Sequence, residues 1–449
     1  MKVDKEYSLG FKVEAPRALV IGSGPVGALI ASMALQKEFN VTMIDIGSFE
    51  SEYVENNKLG LKTANESVHP YDLGQYNNLD FGSLNYKWRT SKGKFGFSTV
   101  WGGTWEKLSS LNAAPWNEAY SRVDQIIGKT SKVYSSNCSC TSLNIDQSSE
   151  SPAISLLVNS GKPNPEIWST EDLIADLSRN TNFSYIKGNV INFEEGNDSV
   201  YALTDGGNKL GFDVVYLCCG PVGNANLILN SKPEPLKIVL QDTQIVYIPF
   251  FYRKKSKICK ESKNFPVGKV LDKNREGEVN SYFQIYPHVS DYSAQILSKL
   301  PLTLRPLLQL FFKILLSRIG IALGYRNHKY SSSISLNSGS MVLVKELSPE
   351  KKNSKLIFMA RSFLTLRKVG LWPIPMFTRF GSPGDSYHLG MAESIVEPEN
   401  GSVEGFNRIF ALGAIALPSL EPGPITYSAM AQAVIGFNYS VEKLPKLRQ

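Results

Sequence analysis

The stretch from residue 17 to residue 35 limits the folds open to this chain more than any other. Arg17-Ala18-Leu19-Val20-Ile21 is a short apolar run that enters Gly22-Ser23-Gly24-Pro25-Val26-Gly27, and the alanine-rich Ala28 to Leu35 has the pattern of a helix packed on a sheet. In this Gly-x-Gly-x-x-Gly spacing Gly22 allows the tight turn, Gly24 lets backbone N–H groups approach a pyrophosphate, and Gly27 lets helix and strand pack closely. The phosphates would sit at the helix N-terminus, where unpaired N–H groups and the helix dipole favour negative charge. A second strand, Asn40 to Asp45, ends in an acid at the distance from the turn at which a dinucleotide ribose is held. The combination predicts a dinucleotide site at the edge of a doubly wound α/β sheet.

At 449 residues the chain exceeds one ordinary core, so two domains or a two-lobed body is expected. The N-terminus mixes charges and has no apolar run before Arg17, and five cysteines, an odd count, do not make a disulfide framework. Both observations point to the cytoplasm. Cys138-x-Cys140 lacks a second ligand pair nearby, so no metal site is expected. The net charge of +7 is modest for this length, and its densest cluster is Arg253-Lys254-Lys255-Ser256-Lys257 with Lys260 and Lys263. Little aromatic interleaving accompanies these cations, which argues against a nucleic-acid groove and leaves a nucleotide-sugar or an acidic lipid surface as the anionic partner.

The rest of the chain divides by composition. Residues 1–235 form the first part of the dinucleotide domain, with loops over about 50–95 and a polar, serine-rich excursion over about 116–155. Trp101-Gly102-Gly103-Thr104-Trp105 places paired glycines beside large rings, a sign of backbone in close contact with a ligand or a crossing element. Phe183 to Phe193 reads as a strand with a kink, and Asp213 to Gly220 as a strand buried on both faces. Residues 236–384 are aromatic and β-rich and make an inserted α+β substrate domain. Within them Pro306 to Leu323 reads as the most hydrophobic helix of the chain, with Arg305, Gln309, Lys313, Ser317 and Gly320 on one narrow stripe. Lys313 and Arg318 would be costly in hydrocarbon, so this segment is expected as a buried or lid helix, a peripheral membrane or lipid-linked-substrate contact, or an oligomer interface. Residues 385–449 return to the first domain, with a buried strand over Arg408 to Ala414 and an apolar helix over Tyr427 to Asn438.

Four separated motifs, in order, resemble those of the glucose–methanol–choline oxidoreductases, flavoproteins that oxidise alcohols with FAD. They are Gly22 to Gly27 with Asp45; Val100-Trp101-Gly102-Gly103-Thr104; Leu217-Cys218-Cys219-Gly220-Pro221-Val222-Gly223; and Tyr387-His388-Leu389-Gly390 followed by Gly413 to Ala433. The resemblance covers the cofactor lobe from about residue 15 to the C-terminus, and the middle lobe matches only in position and character. It implies a Rossmann-like FAD-binding domain in which Gly22, Gly24 and Gly27 hold the pyrophosphate and Asp45, where Glu is usual, holds the ribose. It also implies that Val100, Gly102 and Gly103 pass the flavin and that Val190 meets the adenine end. Gly220 falls in the third motif, and Gly413, Ala414, Pro424, Ile425 and Thr426 would approach the isoalloxazine ring.

His388 matches the active-site histidine of that family, and a neutral imidazole suits removal of a hydroxyl proton as hydride leaves the carbinol carbon for the flavin. The polar, aromatic middle lobe makes a sugar or glycan hydroxyl the expected substrate. No motif specifies the electron acceptor. One departure is marked: Gly423 stands where many members carry a second His or an Asn. Tyr387, Tyr427 and Glu421 are the nearest polar replacements. A flavin-binding protein without alcohol oxidation and a membrane-surface enzyme acting on a lipid-linked saccharide are the other readings that the sequence leaves.

Overall fold

The computed structural model describes residues 15–47, 71–72, 90–91, 94–99, 101–135, 153–160, 167–232, 236–252, 266–274, 276–286, 319–338, 341–345, 349–381, 389–393 and 395–447. His388, Val100, the Arg253–Lys263 cluster, the cysteines at 138 and 140, and the 306–318 part of the expected helix lie outside the described residues.

At the centre is a five-stranded parallel sheet in the order Ile409–Ala411, Val214–Leu217, Arg17–Ile21, Asn40–Asp45 and Phe183–Lys187. Successive side chains of a strand face opposite ways, so the apolar run of the first strand divides between two cores. Ala18 and Val20 join the helices Pro25–Gln36, Ala114–Ile127 and Thr426–Leu447 on one face. Leu19 and Ile21 join the helix Gly220–Ser231 on the other, together with a three-stranded antiparallel sheet of Val190–Glu195, Val200–Thr204 and Lys209–Phe212. The two-sided burial is why these strands read as continuous apolar runs. The kinked strand expected over 183–193 is two strands, Phe183–Lys187 in the parallel sheet and Val190–Glu195 in the antiparallel one.

A second, six-stranded antiparallel sheet contains Gly268–Lys273, Val279–Tyr286, Ile319–Arg326, Ile245–Tyr252, Leu371–Pro373 and the short Arg379–Phe380. Its two faces differ. Phe283 and Ile285 lie with Val246, Ile248 and Phe250 in a core closed by Phe358 and Leu366 of the helix Pro349–Lys368. Tyr282, Gln284 and Tyr286 face the other way, toward the segment 102–106. A further antiparallel sheet, in the order Met341–Lys345, Ser333–Asn337, Lys237–Asp242 and Leu389–Glu393, takes strands from both sides of residue 384 and packs on the core of the parallel sheet.

Two expectations are corrected. The helix expected over 306–323 does not reach its end, because Ile319–Arg326 is a strand paired with both Val279–Tyr286 and Ile245–Tyr252. Gly320, placed by the helical reading in a polar stripe, lies against the Phe250 ring, where a Cβ would come within 2.4 Å of Cζ. The polar excursion expected from about 116 begins as an amphipathic helix, Ala114–Ile127, burying Trp116, Ala119, Tyr120, Val123, Ile126 and Ile127. Its chain continues into a hairpin of Ser131–Ser135 and Ser155–Asn159.

Candidate cofactor and substrate site

The turn after the first strand is fixed by contacts to backbone. Gly22 has φ +103° and donates its N–H to the Ile44 carbonyl at 2.8 Å. A Cβ at Gly27 would stand 1.9 Å from the Gly22 carbonyl oxygen, so the helix can begin at this depth only with glycine there. Gly24 is the N-cap of the helix, with Pro25 at its first turn, and no atom lies within 4 Å of where its Cβ would be. Proline suits that position because the N–H it lacks would have no partner in the helix.

Asp45 is buried at the end of its strand. Its Oδ2 accepts from the Ser23 N–H at 2.7 Å and its Oδ1 from the Gly47 N–H at 2.8 Å. Burial pushes the carboxyl above its ordinary range against the pull of these hydrogen bonds. Each oxygen keeps a further lone pair for a ligand. Beside it Tyr185 presents a hydroxyl that is shielded from solvent and, among the described residues, makes no hydrogen bond of good geometry, with Ser23 its near polar neighbour; it lies about 3.4 Å from the point a Gly47 Cβ would occupy. Burial raises that phenol and the Asp45 carboxylate adds to the effect, with the Ser23 hydroxyl acting the other way. Lys94 stands 5.2 Å over the same ring.

The first, third and fourth motifs meet. A Cβ at Gly22 would lie 2.7 Å from the Cys218 carbonyl oxygen, so the first and third motifs run side by side. The Gly220–Ser231 helix therefore starts next to the Pro25–Gln36 helix, and Gly220, like Gly24, has open space where its Cβ would point. Gly413 is held by its N–H to Gln432 Oε1 at 2.6 Å and faces Val26 of the first motif. Gly390, two residues after His388, packs so tightly on Ala414 that a Cβ would be 2.4 Å from its carbonyl oxygen. The chain just after the second motif packs on the start of the last helix, with Trp105 stacked on Tyr427 at 4.1 Å and the Leu108 N–H donating to Ser428 Oγ at 3.1 Å. Val190 is buried at the head of the antiparallel sheet. Pro424 and Ile425 lead directly into the helix that begins at Thr426.

The polar face of the six-stranded sheet closes on the second motif. Tyr282 donates to Glu106 Oε2 at 2.9 Å, Lys269 pairs with Glu106 Oε1 at 2.9 Å, and Gln284 Nε2 donates to Thr104 Oγ1 at 3.0 Å. Tyr286 donates to Gln284 Oε1 at 2.8 Å, and its hydroxyl lies 3.3 Å from the point a Gly102 Cβ would fill. Burial and Glu106 together push the Tyr282 phenol well up, so it remains a donor. Gly423 sets its open side against the Tyr282 ring. Reading the sequence missed Glu106, Lys269, Tyr282, Gln284, Tyr286 and Tyr185 as site residues; the alternation in Ser281-Tyr282-Phe283-Gln284-Ile285-Tyr286 was the one local signal for three of them.

Two of the proposed replacements for the missing His or Asn are otherwise engaged. Tyr427 donates to Asp124 Oδ2 at 2.6 Å, and Glu421 accepts from the Ser109 N–H and hydroxyl and from the Ser110 N–H. Tyr387 lies outside the described residues, as does His388, though the ends of their segment are fixed. The Gly381 N–H donates to the Ile245 carbonyl at 2.8 Å, and Leu389 pairs with Asp242. Cys218 and Cys219 lie past the end of their strand, and burial raises both thiols, that of Cys219 to about 12. Both stay protonated at neutral pH, which suits packing and not thiolate chemistry. Among the described residues no group of His, Cys, Asp or Glu is arranged to hold a metal ion.

No family model matches the chain, and no curated protein sequence matches it. Among solved structures it is similar to pyridoxine 4-oxidase from Mesorbium loti, with a TM-score of 0.57 over 95% of this chain and 99% of that one at 11% identity. The likeness is one of fold. It extends over both sheets, so the α/β architecture with a parallel sheet and a second domain is that of the oxidase.

Proposed function

We propose that this chain is an FAD-dependent oxidoreductase of the glucose–methanol–choline type that oxidises a CH–OH group of a saccharide, with His388 as the base. The observation that carries the reading is that the first, third and fourth motifs, far apart in sequence, pack together beside two helix N-termini whose glycines leave open space. The fold shared with a protein named as an oxidase supports it.

The residues present fit FAD. Gly24 and Gly220 leave backbone N–H groups open to a pyrophosphate, and Asp45 with the Tyr185 hydroxyl offers an acceptor and a donor to a ribose. When bound, FAD supplies the acceptor for a hydride from the carbinol carbon. The chain's own part is to position the alcohol and take its proton. His388, two residues before Gly390 in the sequence, would receive the hydroxyl proton at its imidazole. The tyrosine and glutamine face of the second sheet, held by Glu106 and Thr104, orients a substrate rich in hydroxyls.

The test is the visible spectrum of the purified protein, followed without oxygen as sugars and simple alcohols are added. A bound flavin that bleaches with a sugar is the expected result. A protein that neither carries flavin nor takes it up overturns the reading. His388→Ala should retain FAD and lose substrate-dependent bleaching; unchanged bleaching would remove the histidine from its role.

A further inference from the structure

The surface built by the Pro349–Lys368 helix and the chain that follows it is unlike the rest of the molecule. Of twelve exposed large hydrophobic side chains among the described residues, six fall here: Leu356, Ile357, Leu364, Trp372, Met376 and Phe377. Met376 is 82% exposed and Leu356 70%, values that leave almost the whole side chain in water. Over residues 355–380 the sequence carries five Lys or Arg and no Asp or Glu.

The arrangement is ordered. Phe358, Ser362, Leu366 and Val369 recur on the face turned to the six-stranded sheet. At 3.6 residues per turn the opposite face carries Leu356, Ala360, Leu364 and Ile357 in its middle, with Arg367 toward one side and Lys368 and Arg361 on the other. Gly370, at φ +82°, turns the chain into Leu371–Pro373, and the Arg367 guanidinium lies 4.9 Å over the Trp372 ring, joining helix and strand into one patch. The single turn Pro375–Phe377 then holds Met376 and Phe377 out, fixed by the Ile374 N–H to the Pro249 carbonyl at 2.8 Å. Asp272, half-buried on the neighbouring strand, is the acid that faces Arg361 and Lys368.

We infer that this patch is a peripheral docking surface for an anionic lipid membrane, with the apolar side chains entering the headgroup region and the cations meeting lipid phosphates. An apolar centre with Arg and Lys beside it and Trp and Phe at its rim matches both parts of such an interface, and five Lys or Arg with no Asp or Glu over residues 355–380 favour an anionic surface. No helix among the described residues is long and apolar enough to cross a bilayer, so the contact is made from one side. The inference does not depend on the proposed reaction.

The test is sedimentation of the full-length protein with vesicles of phosphatidylglycerol in phosphatidylcholine, against phosphatidylcholine alone. Binding to the anionic vesicles that weakens with salt is expected. Replacing the apolar group together, Leu356→Gln, Leu364→Gln, Met376→Gln and Phe377→Gln, should abolish it. Arg367→Gln with Lys368→Gln should weaken it about tenfold or more, on the scale of surface cations at anionic lipid. These side chains are exposed, so an unchanged melting temperature certifies that each variant is folded. Equal binding to neutral vesicles, no binding at low salt, or variants that bind like the parent overturns the inference. So does a dimer, seen by sedimentation velocity, that the apolar variant dissociates while vesicles are ignored, since the patch would then belong to a second copy of the chain.

Discussion

The two sheets are held in different currencies of contact. Around the parallel sheet the tight approaches are backbone on backbone: Gly27 on the Gly22 carbonyl, Gly22 on that of Cys218, Gly390 on that of Ala414. In the six-stranded sheet a ring takes part: a Cβ at Gly324 would meet the Phe283 ring, and one at Gly320 both the Phe250 ring and the Tyr286 carbonyl. Peptide groups cannot move aside without breaking the sheet that orders them, whereas a ring can be replaced by something smaller. The first region is therefore intolerant of change and legible as a motif, and the second can vary in sequence while keeping its shape.

The largest expected effect is at Gly27. Gly27→Ala should lower stability by about 3 kcal/mol or more, read by chemical denaturation, because the added carbon meets a carbonyl oxygen that has nowhere to go. Gly324→Ala should cost about 2 kcal/mol, and clearly less when introduced into a Phe283→Leu background. Failure of the second change to rescue the first would break the comparison.

The tyrosines sharpen it. Tyr282→Phe removes a donor from the Glu106 carboxylate and should destabilise the flavin-free protein by about 1–2 kcal/mol. Tyr185→Phe removes a hydroxyl without a well-formed hydrogen bond among the described residues, so the flavin-free protein should be as stable as the parent or slightly more so. The same substitution should weaken FAD binding about fivefold, the worth of one hydrogen bond, while leaving binding of FMN, which has no adenosine, unchanged. Flavin fluorescence and thermal melts measure the two halves of that prediction. A loss of stability without a loss of affinity would make Tyr185 a packing residue.

Legibility followed the same division. Arg17 to Leu35, the Val214–Leu217 strand and the closing strand and helix were readable because continuous apolar runs and glycines at fixed spacing record two-sided burial and backbone contact. The Ala114–Ile127 helix was hidden by Asn117, Glu118, Ser121, Arg122 and Gln125 on its outer face, although Trp116, Ala119, Val123 and Ile126 keep helical spacing. Ile319–Arg326 defeated a periodicity argument because Ile, Ala and Leu alternate there with glycine and both faces are covered, so no polar side marks a period of two. The Pro349–Lys368 helix was hard to see for a related reason, being apolar on its outward face as well as its inward one. Glu106, Lys269 and Tyr282 come from separate elements, and no local pattern in a chain announces a meeting of that kind.

The order in which this chain leaves the ribosome follows from where its helices lie. Tyr120 bonds to Ser428 and Tyr216 to Ser440, so part of the wall of the first sheet is made by residues translated long after its first two strands. From Asp45 to the end of the Thr426–Leu447 helix about 400 residues must be added, roughly 20 to 80 s at about 5 to 20 residues per second. For that interval the apolar face of Ala18, Val20 and Met43 waits for its cover. Loss of the Thr426–Leu447 helix would uncover one face of the strands made first.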